Sequence, residues 1–261
     1  MIIFLVISVV LLLYSLYEYK NVRIDTLKPD DFTQVHDIPE SVLGKRIVYI
    51  SDLQWDSRAR PFMSRFAQSI MDTVNELEPD LIIIGGDTIH RKTDKVFHYL
   101  KQLKTPIIST LGNHDYKDLE NVKQGLNEIS HLLVNETIDF HGMQIVAVDD
   151  YRKGHPQMPD YQRNTYTLLL SHNPDYCETL NDSFDMILSG HTHGGMITLF
   201  GIYSPITSSE YGQKYTGGFA TTPGGKVYVS SGLGGSVFGL PIRFFARPSI
   251  QVIDFRQSKI T

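Results

Sequence analysis

The chain has 261 residues, 41% of them hydrophobic and 20% charged, with a formal net charge of −5. That composition supports one sizeable apolar core, excludes a disordered chain, and leaves none of the basic footprint that a nucleic-acid partner requires. A single cysteine, Cys177, excludes both an intramolecular disulfide and a thiolate zinc site, and reads as a small buried residue near a helix.

Residues 2–17 (IIFLVISVVLLLYSLY) carry no charge and are dominated by β-branched and leucine side chains. They are fewer than the roughly 20 residues of an average membrane span, yet within reach of one. A secretory signal would place basic residues before the apolar run and small residues at a cleavage point after it, and neither is present. The expectation is an uncleaved transmembrane anchor over residues 1–20. Lys20 and Arg23 follow the span and no basic residue precedes it, so the positive-inside rule favours a single-pass cell-membrane protein with its C-terminal domain on the cytoplasmic side. Two charges leave the opposite orientation open.

A polar segment, residues 21–43 with Pro29 and Pro39, is expected to be a linker. Residues 46–50 then read as a buried strand ending in Ser51-Asp52, and the pattern repeats. Residues 81–84 run into Gly85-Gly86-Asp87, residues 106–109 into Gly112-Asn113-His114-Asp115, residues 167–170 into Ser171-His172, and residues 185–188 into Gly190-His191-Thr192-His193. Helix-like stretches lie between the first strands, at 61–77 with apolar spacing at Phe62, Phe66, Ile70 and Val74, at 94–103, and at 117–129. Strand-helix alternation predicts an α/β fold. Residues 143–148, 226–230 and 250–255 read as strands without long helices between them, which predicts a second, more antiparallel sheet packed on the first: a two-sheet β-sandwich flanked by helices. Open α/β sheets bind ligands beyond the carboxyl ends of their strands, where these polar residues converge.

Four of the ten histidines, His114, His172, His191 and His193, fall in those strand-end segments beside Asp52, Asp87 and Asn113. Carboxylate, amide and imidazole groups without a thiolate suit hard or borderline divalent metals. The ordered motifs Asp52-Leu53-Gln54, Gly86-Asp87, Gly112-Asn113-His114-Asp115, Ser171-His172 and Gly190-His191-Thr192-His193 resemble those of the calcineurin-like metallophosphoesterases, D-x-H, G-D, G-N-H-D/E, a lone His and G-H-x-H. With Gly194-Gly195, Gly232-Leu233-Gly234 and the apolar N-terminus, the chain looks most like the membrane-associated bacterial members, some of which cleave the pyrophosphate of a UDP-linked diacylglucosamine lipid.

The resemblance implies a four-layer α/β/β/α catalytic domain over residues 44–261 and a hydrolase of phosphoester or pyrophosphate bonds using two divalent ions. Asp52, Gln54, Asp87 and His193 would surround one metal, and Asp87, Asn113, His172 and His191 the other, with Asp87 bridging. Two cations about 3.5–4 Å apart neutralise phosphate oxygens and acidify a bridging water, whose hydroxide attacks phosphorus in line. His114, beside Asn113, would be the catalytic histidine that stabilises phosphoryl oxygens or protonates the leaving group, with Asp115 orienting it. Arg91 sits where many relatives place a phosphate-gripping arginine, although a solvated arginine beside Lys92 fits as well. His90 stands where many relatives have an aspartate. Gln54 departs from the motif histidine; its amide oxygen is a weaker donor, which favours manganese over iron or zinc at that site.

The five other histidines, His36, His98, His131, His141 and His155, have no motif context. The chain lacks H-E-x-x-H, a P-loop and G-x-S-x-G, and Val237 stands where a dinucleotide fingerprint would need its third glycine. The rival to an enzyme is a metal-binding membrane scaffold with a decayed first site. The substrate stays open among a lipid-linked pyrophosphate, a cell-wall-type phosphodiester and a small phosphodiester, and so does the oligomeric state. The apolar residues 237–245 read either as a lipid-facing lip or as a buried strand or loop.

Overall fold

Strand β2 (Arg46–Ile50) shows how this sequence builds its layers. Successive side chains alternate faces, so Val48 and Ile50 join one cluster while Ile47 and Tyr49 join another, all of them buried. A strand apolar on both faces needs a layer on each side. The computed structural model describes residues 2–55, 60–93 and 95–257, with the side chains of 60–63 and 257 left out.

In chain order the elements are α1 (Ile2–Lys20), β1 (Arg23–Leu27), β2, α2 (Arg60–Glu76), β3 (Leu81–Gly85), α3 (Val96–Leu100), β4 (Ile107–Thr110), α4 (Leu119–Asn127) and β5 (His131–Leu132). Then follow β6 (Glu136–Phe140), β7 (Met143–Ala147), β8 (Thr167–Leu170), β9 (Met186–Ser189), β10 (Gly218–Thr222), β11 (Gly225–Val229) and β12 (Ser249–Asp254). They form two six-stranded sheets, ordered β1-β12-β2-β3-β4-β5 and β10-β11-β9-β8-β7-β6. Between the sheets lies a core that includes Ile47, Ile83, Ile145, Leu168 and Leu188. Outside the first sheet, Phe66, Ile70 and Val74 of α2, Phe97 of α3 and Val122 and Leu126 of α4 bury Val48, Ile82 and Ile84. Outside the second, the 3₁₀ segments Pro174–Thr179 and Gly212–Tyr215 supply Tyr176, Cys177 and Tyr215 against Leu169, Ile187 and Val229.

The expected two-sheet sandwich flanked by helices is what the chain adopts, with three differences of detail. The second sheet is mixed rather than mainly antiparallel: β7, β8, β9 and β11 run parallel, and only β6 and β10 at its edges are antiparallel. Strand β12 leaves that sheet and inserts into the first, antiparallel to β2. Residues 21–43 are more than a linker, because β1 within them pairs in parallel with β12 from Arg23↔Ser249 to Leu27↔Ile253. Polar residues on one face of an edge strand gave β1 the look of a loop. Of the predicted helices, α3 is confined to Val96–Leu100, and Asp94, expected to open it, lies outside the described residues. The side chain of Phe62 is outside them too.

Helix α1 is long and apolar enough to cross a membrane. Its apolar side chains from Ile2 to Leu13 are exposed, whereas Ser15, Glu18 and Tyr19 are buried in the domain. The Tyr19 hydroxyl donates to the Gly235 carbonyl at 3.2 Å, and Phe245 N–H donates to the Glu18 carboxylate at 2.8 Å.

Candidate metal centre

Five parallel strands, β2, β3, β4, β8 and β9, end on one rim of the sandwich and deliver the predicted residues there. The backbone turns sharply at each exit. Asp52, Gln54, Asp87, His191 and His193 all have positive φ, between 43° and 72°. Left-handed backbone costs an L-residue about 1–2 kcal/mol each, so five in one cluster mark a site whose geometry the surrounding packing enforces. Glycines let the loops close on it. A Cβ on Gly112 would overlap the Asp87 carboxylate, and one on Gly190 the Asp52 carboxylate.

Asp52, Asp87 and His193 each offer one ligand atom within 4.8 Å of the others, and all three are buried. His172 Nε2 lies 3.5 Å from Asp87 Oδ1 and 3.9 Å from Asp52 Oδ1. Its Nδ1 donates to the Gly85 carbonyl at 2.7 Å, which fixes the tautomer and leaves a lone pair on Nε2. Nε2 of His172, Nδ1 of His191, Nδ1 of His193 and Oδ1 of Asn113 are buried without a hydrogen-bond partner. Orphaned acceptors are costly to bury, and those of His172, His191 and Asn113 beside two carboxylates fit a cationic ligand, whereas His193 faces the carboxylates with Nε2, 3.5 Å from Asp52 Oδ1.

The electrostatics agree. Burial pushes Asp52 up to about 6, with Asp87 adding to the rise and His172 opposing it. Burial also opposes ionisation of Asp87, but His172 overcomes it and holds that carboxyl well below its usual range. Desolvation acts against a charged His172 as well, yet Asp87 and Asp52 lift it well above an ordinary histidine. His191 and His193 go the other way, burial pressing the first to about 3 and the second well down, so both present neutral rings. Two buried carboxylates that favour a proton on His172 would favour a metal ion at Nε2 in its place.

Gln54 reaches the same point with its amide nitrogen, 2.9 Å from both Asp87 Oδ2 and His193 Nε2, while Oε1 faces His90 Nδ1 at 3.4 Å. It acts there as a donor; to ligate a metal through oxygen the amide must turn over. His114 lines the pocket. Its Nδ1 lies 2.9 Å from the His90 carbonyl oxygen and 2.8 Å from Lys117 Nζ, so a backbone oxygen and an ammonium, in place of a carboxylate, hold the ring. Burial lowers its pKa. Asp115 does not orient His114: its buried carboxylate accepts from the backbone N–H groups of Gly112, Thr88 and Ile89 and so ties the loops after β3 and β4 together.

The pocket over the cluster has a volume of about 230 Å³. Arg91 is exposed and is not among its lining residues, whereas Arg152 is, 3.4 Å from His191 Nε2. Sequence reasoning missed Arg152. Only the fold places it: β7 is parallel to β8, so the loop after β7 opens on the same rim.

These features define a metal-dependent phosphoesterase, and the comparisons agree: residues 45–195 match the calcineurin-like phosphoesterase family, to which the chain belongs, and it is therefore a phosphoester hydrolase. Over 250 residues it is 31% identical to the uncharacterized metallophosphoesterase YkuE of Bacillus subtilis, covering 85% of this chain and 82% of that one. It is 26% identical to the phosphodiesterase YaeI of Escherichia coli (80% and 81% covered) and 27% identical to the UDP-2,3-diacylglucosamine pyrophosphatase LpxG of Chlamydia muridarum (90% and 88% covered).

Proposed function

We propose that the chain is a binuclear phosphodiesterase or pyrophosphatase, anchored by α1 and acting on a substrate held at the membrane. The observation that carries this reading is the set of orphaned acceptors on Asn113, His172 and His191 together with the buried cluster of Asp52, Asp87 and His193. Asp87 would bridge. The two ions, manganese by preference, would neutralise phosphoryl oxygens and acidify a water. Asp52, Asp87, His193 and Gln54 after its amide turns would hold the first; Asp87, Asn113, His172 and His191 would hold the second.

The chain's own residues do the rest. His114, its Nδ1 held between Lys117 Nζ and the His90 carbonyl, presents Nε2 to a phosphoryl oxygen or the departing group. Arg152, a planar donor fork on the pocket wall, grips a phosphate oxygen, the role expected of Arg91 from sequence. The pyrophosphatase activity named for the Chlamydia relative supports a lipid-linked pyrophosphate as one substrate class. Lys20 and Arg23 at the end of α1, joined by Arg247, whose Nε donates to the Asn21 carbonyl at 2.9 Å, favour a domain on the cytoplasmic side.

The test is metal content and bis-p-nitrophenyl phosphate turnover of the full chain with manganese. Wild type should carry about two ions and turn over, as a two-metal site requires. His114→Ala should keep its metal and lose about 10²–10⁴ in rate, the usual share of a general acid. Asp87→Asn should lose both. A folded, metal-loaded wild type inactive on a broad phosphoester panel would favour the scaffold reading.

A further inference from the structure

Beside the metal pocket lies a second cavity of about 400 Å³, lined chiefly by apolar side chains, among them Ile197, Pro205, Ile206, Val237 and Phe238. The two cavities adjoin: His193, Met196, Ser208 and Ser236 belong to the walls of both. The outer rim of the apolar one is unusually bare. Phe238 is fully exposed, and Ile202, Ile206 and Phe200 are each more than three-quarters exposed. Exposed apolar clusters of this kind on a soluble surface mark a binding face.

What covers that face follows from where α1 sits. Tyr14, in the last third of the apolar helix, packs on Phe244 and Phe245 with ring centroids 5.2 and 5.6 Å apart, and Phe245 packs in turn on Phe200 at 5.6 Å. The Arg243 N–H donates to the Ser15 carbonyl at 3.2 Å. A helix able to span a bilayer is thus joined to the segment that carries Ile197, Pro205 and Ile206 into the cavity wall, through Phe245 on Phe200 and the Phe244 backbone paired with Ile197. Once α1 is inserted, this rim meets the lipid surface.

We infer that the apolar cavity is an acyl-chain subsite, which takes one chain of a phospholipid-like substrate from the bilayer while the phosphate group enters the metal pocket beyond His193 and Met196. This rests on the hydrolase reading and adds to it the substrate class and the direction of entry. Polar walls on one side and apolar walls on the other match an amphiphile's two ends. Each methylene moved from water into such a cavity is worth a factor of about four in binding.

The experiment uses the full chain reconstituted in phosphatidylcholine vesicles containing phosphatidic acid with a diazirine in one acyl chain, followed by photolysis and peptide mapping. Labelling should fall on residues 196–206 and 236–238 as well as on α1, and be competed by unlabelled phosphatidic acid. Ile206→Asp and Phe238→Asp, both at exposed positions where folding is little affected, should lower that labelling by at least about tenfold relative to α1, the worth of fewer than two buried methylenes. Labelling confined to α1, or unchanged in the two variants, overturns the subsite. Turnover of a broad phosphoester panel by the same vesicles reports on the metal centre separately: labelling without turnover of any of them would keep the subsite and sink the hydrolase reading, and turnover without labelling would do the reverse.

Discussion

Arg243 is the largest charged group enclosed in the structure, and removing it should unfold the metal-site loops before it touches the metal. Its guanidinium is fully buried and donates to five backbone carbonyls: Nη1 to His193, Ser231 and Ala246 at 3.1, 2.7 and 3.0 Å, and Nη2 to Gly232 and Gly234 at 3.2 and 2.8 Å. Burial lowers its pKa to about 10, so it stays charged at neutral pH. Arg243→Met fills much of the volume and leaves the Ser231, Gly234 and Ala246 oxygens unpaired, since those of His193 and Gly232 also accept from Met196 and Ser249 N–H. Each buried acceptor left unpaired costs about 1–3 kcal/mol, but the loops relax and admit water, so we expect a net loss of about 4–5 kcal/mol. For a domain of this size that is a fall in Tm of about 10–15 °C. Differential scanning calorimetry of the full chain in detergent measures it, and Arg243→Lys, with three donors, should recover part of the loss. A Tm for Arg243→Met within about 2 °C of wild type would refute the reasoning, because it would mean that the carbonyl cluster is satisfied without the guanidinium.

Other outcomes follow from the site. Gln54→His should tighten manganese or zinc at the first position about tenfold or more, since imidazole replaces an amide that now donates to Asp87 and His193; equal affinities by isothermal titration would refute it. Gly112→Ala should strip metal from the protein, because the added methyl overlaps the Asp87 carboxylate, and metal analysis showing full occupancy would count against that packing. The raised pKa of His172 sets a sign for pH: a proton and a metal compete for Nε2, the proton wins below the raised value, and metal affinity should therefore fall on acidification from a pH above that of an ordinary histidine. Affinities unchanged between pH 8 and about 6 would contradict it.

The site was legible in the sequence because its ligands sit where regular elements stop. A run such as Leu81-Ile82-Ile83-Ile84 can only be an interior strand, and the polar residues after Gly85-Gly86 must then lie at its carboxyl end. Asp52, Asp87, His172 and His193 do converge there. Residues acting through non-local contact were not legible. Arg152 has an unremarkable local sequence and gains meaning only from the parallel register of β7 and β8. Arg243 lies in the apolar stretch 237–245, and nothing in that stretch points to its role; only the folded chain brings five carbonyls around it. Asp115 looked like a partner for His114 by adjacency, yet its carboxylate turns to the backbone of the preceding loop. Strand β1 escaped for the same reason, since an edge strand needs a neighbour to define it, and that neighbour, β12, lies at the far end of the sequence.

That last pairing has a consequence for how the protein is made. Strand β12 lies between β1 and β2 and joins them, yet it is synthesised after every other strand of both sheets. While the chain grows, α1 is already available to the membrane, but β1 and β2 wait with an unfilled gap between them. The metal-site rim waits too, because the segment from Gly232 to Arg243 that packs beneath Asp52 and His193 emerges almost as late. The two sheets cannot close as their early strands appear; they close from the carboxyl end, once β12 is available.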